Sequence, residues 1–442
     1  MKVATALAFA SLAAFAAENP ARASGASHPA ALVLATVEVP SSLRQAPFNR
    51  NRVLLVPQGF KISVVARIPR ARFIIPLPAG GFLVAQPSNG RILAVRPGRS
   101  GMTSVSTLID GLRHPQGMAL HSAGDKLYLY VGESNQISRF DLGRDGASAG
   151  DRRVVVPELP DSSSPELHGY YGHELKNLVI GPDNKLYVDI ASSTNADPKD
   201  TVSNPVRSAI YQYDLDGRNG RIFARGIRNA EGLGFVPGTT DLWAAVNELD
   251  DIRYPFQNSW HGSGSIDYGK KITSYVDDHP PDELIHVKEG ANYGWPFADP
   301  NPDTPSGLDN MPFAPNYETN RDWSRYPESM FTRIDKGIQA HSAALGMAFL
   351  QESKLPAPYR NGVAIALHGS WDRSRKTGYK VIFFPWQDGR PGRQFDLVTG
   401  WLDDESQRQW GRPVDVKPVN DGSLLISDDY SGTIYQLAPQ GR

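Results

Sequence analysis

The chain has no cysteine in its 442 residues. That excludes disulfide bonds, thiolate zinc sites, iron–sulfur clusters and a cysteine nucleophile. Net charge is nearly absent as well: 46 Lys and Arg stand against 47 Asp and Glu, for a formal charge of −1. No bulk field therefore draws the protein to nucleic acid or to an anionic membrane surface, and any anion must be recognised locally. A membrane span is also missing. The one apolar run, residues 3–17 behind Met1-Lys2, is shorter than the ~20 residues a spanning helix needs. With Ala21-Arg22-Ala23 after it, this run reads as a signal peptide over residues 1–23, which predicts an exported chain, periplasmic or secreted, mature from about Ser24. Among catalytic motifs, Gly262-Ser263-Gly264 and Gly369-Ser370-Trp371 do not make the elbow of a serine hydrolase. There is no glycine-rich phosphate loop or dinucleotide fingerprint. His168 and His173 lack the helical i, i+4 spacing of a zinc protease, and no EF-hand loop occurs.

What is abundant is turn chemistry: 41 Gly and 35 Pro in a chain that is 40% hydrophobic, a folded and turn-rich composition. One phrase recurs, an apolar run, a Pro/Gly/Asn/Asp turn and a second β-rich run. Its clearest copy is Leu178-Val179-Ile180, Gly181-Pro182-Asp183-Asn184 and Leu186-Tyr187-Val188. Other copies centre on Phe82, Leu127, Leu242, Val363 and Leu424. They lie roughly 45–60 residues apart, near the period of a propeller blade with added loops, except for a gap of about 120 after Leu242. Six β-meanders with no amphipathic helix between them predict an all-β, six-bladed β-propeller over residues 56–442, with long inserted loops and a central-channel active site. Residues 24–55 read as a lead-in. Within the long gap, residues 297–339 are crowded with Pro, Asn and Asp around Tyr317, Trp323 and Tyr326, and such a segment is expected to be a lid or binding loop.

A propeller gathers the starts of its inner strands around one channel, so unusual residues there converge. His173 sits just before a strand, where the equivalent positions of the other repeats lack histidine. The plainer alternative is a hydrogen-bonded structural histidine. Arg72, Arg113-His114, Arg228-Asn229 and Arg412 occupy comparable positions. They either pair with carboxylates at blade edges or point together into an anion-binding funnel. Asn247-Glu248-Leu249-Asp250-Asp251 follows a strand and could hold a hard cation through carboxylates or carbonyls, or simply be a solvated acidic turn.

Taken together, these residues resemble the quinoprotein glucose/sorbosone dehydrogenase family over about residues 57–437. The resemblance is carried by Gly172-His173 with Leu178–Asp183, by Gly226-Ile227-Arg228-Asn229-Ala230-Glu231-Gly232-Leu233, and by Asn247-Glu248 with Asp250. Pro281-Asp282-Glu283-Leu284, Asn292-Tyr293-Gly294-Trp295-Pro296, His368-Gly369-Ser370-Trp371-Asp372-Arg373 and Gly411-Arg412-Pro413-Val414-Asp415 complete it. The Asn-Tyr-Gly-Trp-Pro and His-Gly-Ser-Trp phrases look most like the sorbosone-dehydrogenase branch. The resemblance implies a six-bladed propeller that binds pyrroloquinoline quinone (PQQ) and calcium and oxidises a sugar, a sugar aldehyde or a related alcohol. It implies His173 as general base, and Arg228 beside the reacting quinone oxygen. Asn229, Arg373, Arg412, His368 and Trp371 are implied for the cofactor, with Arg72 and Arg113 as weaker candidates. Calcium is implied at Leu249 and Asp250, partly through backbone carbonyls, with Glu248 beside them. An external electron acceptor, a quinone or a cytochrome, follows from the same likeness. The lysine of the glucose-oxidising branch has no match here, which puts glucose itself in doubt. Asn292–Pro296 and Asp282-Glu283 read as structural, while Trp371 could equally stack on a ligand or fill the core. Two other functions fit the same pattern, a calcium-dependent lactonase and a non-enzymatic binding propeller.

Overall fold

A computed structural model describes residues 29–98, 103–262 and 264–441; the expected signal peptide lies outside them. Six antiparallel sheets stand around one axis, each at least four strands deep. The first blade is Ile74–Pro76, Phe82–Gln86, Arg91–Pro97 and Thr103–Ile109. The third, which carries His173 just before it, is Leu178–Ile180, Lys185–Ile190, Ala209–Asp214 and Arg221–Arg225. The ring closes by sharing: the early strand Phe60–Arg67 pairs with the last, Thr433–Pro439, in the register Ile62↔Leu437, to finish the sixth blade.

The second strand of each blade is covered on both faces by neighbouring strands and blades. Such strands read as continuous apolar runs rather than as alternation. Leu242–Val246 and Gly362–Leu367 are buried at every position. The outermost strands face water and show it, as in Ala149–Val156, where only Val156 is buried.

Two regions depart from the plain repeat. Residues 24–55 are more than a lead-in: Leu32–Thr36 pairs with Val53–Pro57. Leu55 and Thr399 then exchange backbone hydrogen bonds of 2.8 and 3.0 Å, which fixes this hairpin to the fifth blade. The long gap after Leu242 holds no seventh blade. The fourth blade leaves its sheet for residues 247–281, returns as Asp282–Val287, and leaves again before Ile334–Ile338. Within residues 297–339, Asp309–Met311 and Ile334–Ile338 join the fourth-blade sheet, and the rest of the stretch lies outside it. Phe297, Met311, Phe313 and Phe331 are buried in one cluster with Leu242 and Ile285, and Asp309–Met311 pairs with Ile334–Ile338. Strands of three residues are too short to carry a period, so the sequence pattern could not announce them.

Loops entering first strands and loops joining second to third strands open on the same face. His173, Arg228, His341 and Arg412 come from the first kind. Residues 191–208, 247–281 and 368–379 are of the second kind.

Candidate active site

The third blade starts under tight backbone constraint. Gly117 N donates to Lys176 O at 3.0 Å. A Cβ on Gly117 would fall 2.8 Å from Asn177 Cα, and one on Gly132 would fall 2.3 Å from Lys176 O. Two bare backbones of the second blade thus let the chain carrying His173 pass against them. Lys176, fully buried, donates from Nζ to Glu174 O at 2.5 Å, and the Glu174 carboxylate accepts from Ser162 N at 3.0 Å and meets His114 at 2.5 Å. The residue next to His173 is therefore held from three sides.

The His173 ring is half-buried, with Nδ1 3.0 Å from Ser192 O and 2.8 Å from Ser192 Oγ. A carbonyl only accepts, and Ser192 Oγ spends its own proton on Thr194 O at 2.9 Å. The proton therefore sits on Nδ1, leaving the lone pair on Nε2. Burial, and then the Arg228 guanidinium, push the imidazole pKa down to about 3, so the ring is neutral and able to accept a proton across the physiological range.

Arg228 is tied to the same spot, because its carbonyl accepts from Ser192 N at 2.8 Å. Its buried guanidinium donates to Asn195 O (3.3 Å), Asn195 Oδ1 (2.9 Å), Asn247 O (3.3 Å) and Asp250 Oδ2 (3.3 Å). Hydrogen bonds from a charged donor contribute about 1.5–3 kcal/mol each, and four of them fix this group firmly. The Asn292–Pro296 turn has the structural role expected of it. A Cβ on Gly226 would sit 2.1 Å from Asn292 Oδ1, and Trp295 Nε1 donates to Asn195 O at 3.0 Å. It braces Asn195, which in turn braces Arg228.

Asp250, His341 and Asp372 form one group whose ligand-type atoms all lie within 4.8 Å of one another. Burial raises the Asp250 carboxyl, but the His341 hydrogen bond and the Arg228 charge outweigh it and hold the pKa below the usual range. His341 Nε2 lies 2.6 Å from Val276 O, and its backbone takes a left-handed φ of 60°, uncommon outside glycine and frequent at ligand sites. Leu249 is buried beside this group, whereas Glu248 reaches toward a different sector, described below. Asn229 is buried and accepts from Asn247 N through its carbonyl at 3.0 Å.

Across the channel the fifth and sixth blades bring a second set together. Arg72 binds Asp429 at 2.9 Å and Gln116 at 2.8 Å, and His368 Nε2 binds the other Asp429 oxygen at 2.8 Å. Gln116 continues to Glu231 at 2.7 Å, so one polar chain crosses the floor between the sets. Arg113 pairs with Asp161 at 2.8 Å and Arg373 with Asp278 at 3.1 Å. Arg412 differs from these: it donates to His368 O (2.9 Å) and Gly369 O (2.8 Å) and has no carboxylate partner among the described residues. Arg72, Arg113, Arg228 and Arg373 are thus paired with carboxylates, while the Arg412 guanidinium is bonded to carbonyl oxygens. Trp371 is neither core nor channel wall; it is 74% exposed on the rim.

Four contributors escaped the sequence reading: Ser192, Asn195, His341 and Asp372. The run Ala191-Ser192-Ser193-Thr194-Asn195, small and polar directly after a buried strand, was the available signal for the first two.

Comparison with known proteins places this geometry. An uncharacterized protein of Borreliella burgdorferi is 25% identical over 413 residues, covering 92% of this chain and 96% of its own. The pyrroloquinoline quinone-dependent pyranose dehydrogenase of Coprinopsis cinerea is 21% identical over 417 residues, covering 86% of this chain but only 54% of its own. The chain therefore spans about half the length of that relative. The holo PQQ domain of that pyranose dehydrogenase superposes with a TM-score of 0.70 at 19% identity, over 87% of this chain and 97% of the domain. A calcium structure of the Trichoderma reesei carbohydrate-active enzyme family AA12 gives 0.70 at 20% identity, over 88% and 97%. The fold is that of the soluble PQQ sugar dehydrogenases, and since the TrAA12-like family model matches residues 54–440, the chain belongs to the TrAA12-like family.

Proposed function

We propose that this protein is a PQQ- and calcium-dependent dehydrogenase that oxidises a sugar at a CH–OH carbon, or a sugar aldehyde of the sorbosone kind, with His173 as general base. The observation that carries the proposal is the imidazole of His173. It is neutral, with its proton directed to Ser192 and its Nε2 lone pair free, one residue contact away from a fixed guanidinium at Arg228. A base must be unprotonated at working pH and must have a lone pair within reach of the proton it removes.

The residues fit both groups. PQQ is a tricarboxylate, and Arg412 is the cation left without a carboxylate among the described residues; Asn229 and His368 stand with it in the set the resemblance assigns to the cofactor, while Arg373 is paired with Asp278 at the rim. The carboxylates of Asp250 and Asp372 are oxygen ligands of the kind calcium prefers; Glu248 and the carbonyl of Leu249, assigned to the metal by the resemblance, come just before Asp250 in the chain. Bound there, PQQ supplies the hydride acceptor. His173 Nε2 takes the proton of the substrate hydroxyl, while Ser192 keeps the ring from turning. Arg228, held by Asn195 and Asn247, presents fixed positive charge where negative charge develops, without reorganising. The electrons leave to an external quinone or cytochrome, and the site works outside the cytoplasm.

The test adds PQQ and calcium to the apoprotein and follows dye reduction with a panel of aldoses and sugar aldehydes. Activity that requires both additions is expected. No reduction with any sugar, or hydrolysis of a lactone by calcium alone, would remove the proposal.

A further inference from the structure

A cleft of about 340 Å³ opens on the rim beside the well, between residues 247–281 of the fourth blade and 368–379 of the fifth. Its size is that of a ligand site, ~300–1,000 Å³. The two loops are joined across it. Asp277 accepts from Ser374 N at 2.7 Å, Arg373 binds Asp278 at 3.1 Å, and Asp251 N donates to Asp372 at 2.6 Å. Lys271 pairs with Asp251. The polar walls are thus already ordered. Trp371 lines the same cleft, yet its indole makes no hydrogen bond or ring contact with any described residue and is 74% exposed.

A flat, unpartnered aromatic flanked by ordered carboxylates, a lysine and a guanidinium matches one ligand chemistry. A pyranose has an apolar C–H face for the ring and equatorial hydroxyls for the charged groups. A lipid would leave the acidic walls unmatched, and a basic peptide would have to displace Lys271 and Arg373 from the carboxylates they already hold. Asp372 belongs both to this cleft and to the cluster with Asp250 and His341, so one side chain borders both. We infer that the rim cleft is a second sugar subsite, in which Trp371 stacks the unit glycosidically linked to the one being oxidised, making the substrate an oligosaccharide with a free reducing end. This rests on the dehydrogenase reading for the well.

The test uses methyl β-cellobioside, methyl β-maltoside and methyl β-glucoside, whose blocked anomeric oxygen prevents oxidation. The full chain is titrated with each, and Trp371 is scored for protection from N-bromosuccinimide by peptide mass spectrometry. At least one disaccharide glycoside is expected to protect Trp371 and to bind about 10-fold tighter than the monosaccharide. Trp371→Ala should erase that preference and Trp371→Phe should keep most of it. In holoenzyme the ratio of kcat/KM for a reducing disaccharide over the monosaccharide the enzyme oxidises fastest should fall about 10-fold in Trp371→Ala. Equal affinities with no protection would overturn the subsite. So would a Trp371→Ala protein that takes up PQQ poorly and loses both sugars alike, since the indole would then be a cofactor wall. Protection without dehydrogenase activity on any sugar would keep the subsite and remove the quinone reading instead.

Discussion

Asp429 is partly buried and Asp299 fully so, and the molecule treats the two aspartates in opposite ways. Asp429, on the sixth-blade side of the well, would be raised by burial. The hydrogen bond from His368 and the charges of Arg72 and Arg412 reverse that and bring it to about 2. Asp299, beneath the fourth blade, has only the Asn316 amide, 3.1 Å from each oxygen, and burial lifts it to about 7. It has company: burial raises Asp282 to about 6. Glu283, with neither oxygen bonded, and Glu248, with one oxygen unbonded, are raised by burial and by neighbouring carboxylates. Burial alone does not set the charge of a carboxylate; the cations that face it matter as much. Asp429 meets His368, Arg72 and Arg412 and is lowered, whereas Asp428 beside it lacks that set and is raised by burial.

Breaking the catalytic half should have the largest effect. His173→Ala is expected to lower turnover of the reconstituted enzyme by roughly 10²–10⁴, with an unchanged melting curve. Turnover like that of the unaltered chain would remove the base assignment.

Next comes the free cation against the paired one. Arg412→Ala should weaken PQQ binding roughly 10–100-fold, the worth of a charged hydrogen bond. Arg113→Ala, whose guanidinium is already spent on Asp161, should change it little. Equal losses in a PQQ titration would mean that pairing does not decide which arginine serves the cofactor.

The contrast between sectors also predicts a pH dependence of apoprotein stability in chelator. Asp299 and Asp282 keep protons in the folded state that the unfolded chain releases near ~4. The stability they give at low pH is therefore lost as pH rises from there through about 6 and about 7. Asp429 acts in reverse: its contribution, present above its unfolded value, is lost as pH falls toward about 2. Asp299→Asn should flatten the upper branch, by about 1–3 kcal/mol between pH 5 and pH 8 in urea melts. An unaltered slope would place the titration elsewhere.

His173 contributes a pH effect of the opposite sign to Asp299. Its lowered pKa means that the unfolded chain binds the extra proton, so stability falls as pH drops below ~6.5 toward about 3. His173→Gln should remove part of that decline. A steeper decline in the variant would contradict it.

The ring of meanders was legible because a strand buried on both faces must be apolar at every position, as in Leu242–Val246, and because Gly, Asn and Asp mark the turns between such strands. His173 and Arg228 were legible for a related reason: a propeller collects all its strand entrances on one face, so an odd residue at an entrance has only one place to go. Phe313–Pro315 and the hairpin at Leu32–Thr36 were not, since short strands held by distant partners have no period of their own.

Local sequence thus determined the fold class and the face on which the strand entrances gather. Tertiary structure alone decided which cations are free. Arg72 and Arg412 look alike along the chain, but Asp429, 357 residues from Arg72, neutralises one and only lies near the other. It likewise assembled Asp250, His341 and Asp372 from two blades. Charge is a property of neighbours in space, and a closed ring makes neighbours of residues that the chain keeps far apart.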